Sequence, residues 1–394
     1  MVIFFLMNIK LTLFIYIIAS VTSHLEAKSP KVPGIVVNYI PASSGTFIGS
    51  PGIAVLPDGD YVASNDFFGP GSTENEQGVT VFFRSSDKGE SWKKIAEIKG
   101  QFWSNLFVHK GLLYIMGTWK HNGNIIIRRS MDGGVHWTEP TNSTNGILRE
   151  GEYHTAPVPM VVFKGKLCRA FEYAKPNDNK KGTHLVAMML SAPVDSDLLN
   201  AINWKAGNQL SNETSWLNGI FRGWLEGNAV VTPDGKLVDF LRVETSRPGT
   251  DMAAMVEISD DGTKATFDPA TGFLEFSGGA RKFTIRYDEL SKRYWTITNL
   301  VTDEFASFPA GDVRNTLVLK SSADLWNWGV KKTLLKHPDV YRHGFQYIDW
   351  QFDGNDIIFL SRTAYDDEFG GADSFHNANY LTFHRIKNFR KYAK

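Results

Sequence analysis

The chain is nearly devoid of cysteine. Cys168 is the only one in 394 residues, so no intramolecular disulfide can form and no cysteine cluster can hold zinc. Excess charge is also missing, because Lys plus Arg and Asp plus Glu both number 42. No global field favours nucleic acid or an anionic membrane, and any selectivity for charge must come from a local cluster. The sequence shows no glycine-rich phosphate loop, no zinc-protease helix and no Gly-x-Ser-x-Gly elbow. A long apolar stretch stands at the start, in MVIFFLMNIKLTLFIYIIASVTS. There one lysine precedes the apolar run at 11–18 and small residues follow it. That layout reads as a signal peptide over residues 1–23, with a cut at 23 or 27 and Met7 as an alternative start, rather than as a membrane span. The expected product is periplasmic or secreted, without a lipoprotein cysteine and without membrane insertion.

Aromatic residues are what the chain has in abundance. They make up 13% of it, with 11 tryptophans, which suits an all-β protein and the flat platforms that stack on sugar rings. Hairpin signals recur along its length: GIAVLPDGDYVAS, NLFVHKGLLYIMG, PMVVFKGKLCRAF and NAVVTPDGKLVDFL each place a Gly-containing turn between two apolar strands. KFTIRYDELSKRYWTIT and YIDWQFDGNDIIFLS continue the series. The result is six units of about 45–68 residues, the spacing of a repeat architecture. Four strands per unit predict an all-β, six-bladed β-propeller as a single domain over 28–394, with seven blades as the alternative count. The segment GIVVNY is expected to supply the outer strand of the last blade and close the ring.

A second motif runs through the same units. SSDKGESW at 85–92 and SMDGGVHW at 130–137 both fit Ser-x-Asp-x-Gly-x-x-Trp, with weaker versions from Ser259 and Ser321. Turn chemistry uses up every specified position, since Ser and Asp hold local N–H groups, Gly takes the positive φ and Trp packs inward. The motif resembles the Asp box of sialidase-like propellers, in which it lies between the third and fourth strands, opposite the active site. An ordinary sialidase would carry an arginine in the segment corresponding to YIPASSGTFIGSPGIAV, and here there is none. The stretches IGSPGIAVLPDGDYVASNDFFGP, YHTAPVP, GFQYIDWQFDGNDI and HNANYLTFHRIKNFR resemble polysaccharide-degrading propellers of marine Bacteroidetes. That group includes β-eliminating lyases and oligosaccharide dehydratases acting on ulvan-like uronates.

The loops at the other end of the strands carry the chemistry-bearing residues. Among them are Asp66, Trp103, His154, Glu226 and Arg314. Several arginines, histidines and aromatics around one mouth suit an acidic sugar, because Arg forks a carboxylate, an aromatic face stacks on the ring, and His or Tyr moves protons. β-Elimination needs a neutralised carboxylate, a base for the C5 proton and an acid for the group leaving C4. The expected catalytic residues are His154 as base and Tyr365 or His343 as acid. Arg169, Arg242 and Arg362 are expected to hold the carboxylate or a sulfate, with Glu172, Tyr173, Trp119, Trp224, Gln346 and His376 completing the binding face. A hydrogen-bonded structural role reads His154 equally well. A glycosidase carboxylate pair of Glu172 and Glu226, or a non-catalytic sugar-binding propeller, are the alternatives. The expected partner is an acidic oligosaccharide bound to a monomer, with no nucleic acid, no metal and no cofactor.

Overall fold

The computed structural model describes residues 31–175 and 184–393, so the expected signal peptide lies outside the described residues. Among those residues the regular structure is β-strand with short 3-10 turns and no α-helix. The strands pair as antiparallel hairpins into four-stranded groups. The first is Phe47–Val55, Tyr61–Phe68, Val79–Ser85 and Lys93–Lys99. The second is Phe102–His109, Leu112–Thr118, Gly123–Ser130 and Ile147–His154. Its last strand also touches the third group, where His154 faces Glu172, and so fuses the two into one eight-stranded sheet. The third group is built on Lys166–Ala174 and Leu185–Pro193, and the fourth on Phe221–Val231, Leu237–Thr245 and Met252–Ile258. The fifth is Thr284–Asp288, Arg293–Asn299, Thr316–Ser322 and Gly329–Lys336. Gly344–Asp353, Asp356–Ala364 and Tyr380–Ile386 form the last group, completed by Ile35–Tyr39 from the other end of the chain. The chain therefore closes on itself as the sequence predicts, and Ile35–Tyr39 covers the edge that Tyr380–Ile386 would otherwise expose.

Burial falls from the first strand of a group to the last, which is the radial order of a propeller. Phe47–Val55 is buried at every position but the last. Lys93–Lys99 and Gly329–Lys336 have no buried residue, and lysines occupy their outward positions. A strand covered on both faces reads as a continuous apolar run, and a rim strand does not. Neighbouring groups pack through aromatic and aliphatic side chains: Trp224, Phe221 and Phe267 fill the layer between the third and fourth groups, and Trp295, Trp350 and Phe389 that between the fifth and last.

The Asp-box turns are structural in the way their chemistry dictates. Ser85 Oγ donates to Asp87 at 2.8 Å and accepts the Gly89 N–H at 2.8 Å, and Trp92 Nε1 donates to the Gly89 carbonyl at 3.1 Å. The same bonds recur at Ser130, Asp132, Gly134 and Trp137, and at Ser322, Asp324, Leu325 and Trp328. All three turns join the third and outer strands of their groups. That puts them at the end of the molecule opposite the loops that hold the arginines.

Candidate active site

Four first strands are interrupted by bulges at the same depth, and besides the slip between Ile48 and Pro51 three of them carry a bulky residue inside the bulge. In these three the pairing slips between Phe102 and Asn105, between Leu225 and Asn228, and between Gln346 and Asp349. The residue inside each slip has left-handed backbone: Trp103 (φ 46°), Glu226 (φ 57°) and Tyr347 (φ 53°). Such a backbone is unfavourable for a side chain with a Cβ and persists only where the surroundings impose it. A bulge also takes one side chain out of the in–out alternation and re-aims it.

Glu226 and Tyr347 are re-aimed toward each other, close enough that each shifts the other's proton affinity. Three arginines enclose the pair. Arg242 donates to Glu226 at 2.9 Å and to Glu244 at 3.1 Å. Arg362 lies between the Phe68 and Tyr347 rings, 4.2 and 4.8 Å from their centroids, and Arg314 lies 5.8 Å from the Tyr347 ring. Two of the guanidiniums are fixed from behind. Gln346 accepts from Arg314 through its side-chain oxygen and donates to the Phe375 carbonyl, Arg314 Nε donates to Gly311 at 3.0 Å, and Arg362 donates to the His376 carbonyl at 2.5 Å. Arg314 and Arg362 are 7% and 4% exposed, and among the described residues neither has a carboxylate salt-bridge partner. Buried cations without a counter-charge are costly, and here two of them face one tyrosine.

The charges of the cluster follow from these contacts. Burial raises the Glu226 pKa, but the charge of Arg242, and then His154, outweighs it and holds the group below the usual carboxylate range. Burial and the neighbouring Glu226 raise the Tyr347 phenol against the pull of the three arginines. Burial also lowers Arg362 to about 10, and burial plus the arginines drive His376 down to about 2, so its ring is neutral. Asp66 is pushed up to about 7 by burial, although both its oxygens accept backbone N–H groups, from Ser50 and from Trp103 at 2.6 Å. Beneath the cluster Lys282 donates to Thr284 at 2.7 Å and to the Ile348 carbonyl, and burial lowers it to about 7.

His154 flanks this centre. Its Nδ1 meets Glu172 Oε2 at 2.7 Å, the other Glu172 oxygen accepts the Gly227 N–H at 3.0 Å, and the Trp103 ring stands 4.3 Å away. Glu172 is fully buried and acts on the histidine, so the expectation that it touches substrate does not fit its position. A carboxylate on Nδ1 fixes the tautomer and leaves Nε2 for proton transfer. A cleft of about 320 Å³ opens beside Arg242, lined by Glu244, Thr250, Ala310 and Gly311.

Several expected site residues are elsewhere. Arg169 is walled in, donating to the Met116 carbonyl at 2.5 Å and the Ala156 carbonyl at 3.1 Å, so it clamps the second and third groups and cannot grip a sugar. Trp224 is wholly buried against Trp216, Phe221 and Phe267 and offers no platform. Tyr173 packs on Tyr153, and the Trp119 ring lies across Gly100. His376 contributes its carbonyl to Arg362, with its ring edge-on to Phe68. His343 and Tyr365 pack on each other at 5.0 Å in a separate cluster with His337, not against the Tyr347–Glu226 pair. Arg242, Arg362 and Gln346 belong to the arginine cluster. Tyr347 was not anticipated, although the sequence carries a trace of it: the buried apolar residues Phe345, Ile348 and Trp350 show a step of three where a strand requires two.

No family model matches the chain, and no curated protein matches it in sequence. Solved structures do match in shape. A protein of unknown function from Dyadobacter fermentans aligns at TM-score 0.59 and 14% identity, over 91% of this chain and 98% of that one. A Hadza microbial sialidase aligns at 0.59 and 16%, over 90% and 68%. The α-L-arabinanase of Penicillium chrysogenum, complexed with arabinobiose, aligns at 0.55 and 14%, over 90% and 97%. At these identities the likeness is one of fold, and it places this chain among the β-propellers.

Proposed function

We propose that the protein is a carbohydrate-active enzyme that cleaves a glycosidic bond next to a carboxylate-bearing sugar, with Tyr347 as nucleophile. The observation that carries this reading is the pair of buried guanidiniums of Arg314 and Arg362, which have no carboxylate partner among the described residues and converge with Arg242 on the Tyr347–Glu226 couple. Such a site is built to receive an anion, and bidentate Arg–carboxylate bonding is the matching geometry. A phenol suits the nucleophile's place because a carboxylate there would repel an anionic substrate.

In the first half-reaction Tyr347 Oη attacks the anomeric carbon while Glu226 takes the phenol proton, and His154 protonates the departing glycosidic oxygen. Glu172 stabilises the imidazolium from which that proton comes. In the second half water adds to the anomeric carbon, giving its proton to His154, and the tyrosine leaves and regains its proton from Glu226. Binding favours the first proton transfer: a substrate carboxylate on the arginines offsets the charge that keeps Glu226 weakly basic. The sialidase and arabinanase of similar fold act on sugars, which supports a carbohydrate substrate.

The His154–Glu172 pair favours a second reading on the same residues. With a uronate carboxylate neutralised by the arginines, His154 would take the C5 proton, and the C4 substituent would leave as water or as a sugar. Incubation with sialylated and uronate-ended oligosaccharides, followed by mass and ultraviolet absorbance, separates the two. Sugar release with addition of water and no new absorbance supports hydrolysis. A new conjugated absorbance supports elimination, and no product from either class, with no binding, refutes both. Tyr347→Phe is expected to lose at least about 100-fold in turnover and Glu226→Gln about 100- to 10,000-fold, with the fold retained.

A further inference from the structure

The cluster that took His343 and Tyr365 away from the arginines has a chemistry of its own. His337, His343 and Asp366 each offer a ligand atom, and these atoms all lie within 4.8 Å of one another. His343 is 5% exposed. Its Nδ1 meets the Asp339 carboxylate at 3.0 Å, which places the ring proton there and leaves a lone pair on Nε2. That Nε2 is buried and has no hydrogen-bond partner, yet an Asp366 oxygen stands 3.3 Å away. The oxygen stands off the line that a hydrogen bond with Nε2 would need, which is the relation of two ligands to one ion rather than of donor to acceptor.

The spacing fits a particular class of cation. Around a tetrahedral zinc-type ion, ligand bonds of about 2.0–2.2 Å put neighbouring nitrogen and oxygen ligands about 3.3–3.6 Å apart. The His337 ring stacks on His343 with the ring centroids 3.5 Å apart, which keeps one of its nitrogens within 4.8 Å of the other two ligand atoms, and Tyr365 covers both rings edge-on at 5.5 and 5.0 Å. Two imidazoles and one carboxylate select a transition ion over magnesium or calcium, which prefer all-oxygen sets. Asp339 behind His343 is the outer carboxylate that orients a ligating histidine. Its own N–H donates to His337 Nδ1 at 3.1 Å, which ties His337 to the same turn.

We propose that His337, His343 and Asp366 bind one divalent transition-metal ion of the zinc class, which braces the mouth of the arginine site. The bracing follows from the chain. His343 precedes the strand that carries Gln346 and Tyr347, Asp366 follows the strand that carries Arg362, and the His337 backbone pairs with Asn315, next to Arg314. An ion here ties together three segments that position the guanidiniums.

The test is a titration of the chelator-stripped full chain with Co²⁺ and then Zn²⁺, read by calorimetry, visible ligand-field bands and thermal midpoint. One equivalent of Co²⁺, displaced by Zn²⁺, and a raised midpoint are expected. His343→Gln and Asp366→Asn are each expected to weaken binding at least about tenfold, as is Asp339→Asn through loss of the outer carboxylate. Absence of saturable binding would mean that His343 is a structural histidine held between two aspartates, and would overturn the proposal. Binding left intact by the ligand variants would overturn it equally. If His343→Gln fails to fold, the part-exposed Asp366 supplies the deciding variant.

Discussion

At the scale of single residues, the molecule's most informative feature is a cost it retains. Arg314 and Arg362 are almost wholly buried and have no carboxylate partner among the described residues, their hydrogen bonds going to neutral carbonyls and the Gln346 amide. Replacing such a group by an apolar side chain of similar size is often neutral or stabilising, whereas a site that binds an anion needs the charge. Arg362→Met is therefore expected to keep or raise the thermal midpoint while losing affinity for anionic sugars about 100-fold or more, measured by thermal unfolding and calorimetry on the same preparation. A fall in stability with affinity intact would make Arg362 structural. Trp224→Ala is the converse case. Because the indole lies in the core between the third and fourth groups, its loss is expected to cost about 3–5 kcal/mol in denaturant unfolding, with KM unchanged in the folded fraction.

At the scale of elements, the Asp-box turn and the bulge divide the work. The turn is self-contained: its serine, aspartate and tryptophan all bond within the motif. Ser130→Ala leaves the buried Gly134 N–H without an acceptor and is expected to cost about 1–2 kcal/mol, with turnover unchanged at the far end of the strands. Hydrogen bonds hold Asp132 and Asp324 at about 2, against burial that raises them. A folded pKa below the unfolded value means stability that is present above about pH 4 and lost as pH falls through about 2. Acid unfolding monitored by circular dichroism is expected to steepen in that window, and less so in Asp132→Asn. The bulge is where sequence reading stopped. The alternation of GFQYIDWQF assigns Tyr347 the face opposite its neighbours, and only the slip between Gln346 and Asp349 turns it into the cluster.

At the scale of the whole molecule, the ring is held where the two ends of the chain meet. Ile35–Tyr39 pairs with Tyr380–Ile386, and Arg385 joins Asp353 at 2.9 Å, Asp356 at 3.0 Å and the Tyr61 hydroxyl at 2.5 Å across the last and first groups. A chain lacking residues 31–40 exposes the Tyr380–Ile386 edge and is expected to unfold at a lower temperature and to associate, read by scanning calorimetry and light scattering. An unchanged midpoint would mean that the closing strand is dispensable.

Much of this protein is determined by local sequence. Turn dipeptides, apolar alternation and the Ser-Asp-Gly-Trp spacing act over a few residues, and they are enough to define the hairpins, the repeat, the closing strand and the structural role of the Asp boxes. The presence of Arg242, Arg362 and Gln346 near one mouth was legible for the same reason, since strand ends in a repeat share one side. Which arginine is free was not. Arg169 and Arg362 look alike in sequence, and only the packing of neighbouring groups surrounds the first with carbonyls and leaves the second against a tyrosine. The pairing of Tyr347 with Glu226, 121 positions apart in the sequence, and the gathering of His343 with His337 and Asp366 depend on strand register, bulges and the closing of the ring. Those are long-range quantities, fixed by tertiary contacts rather than by any stretch of chain.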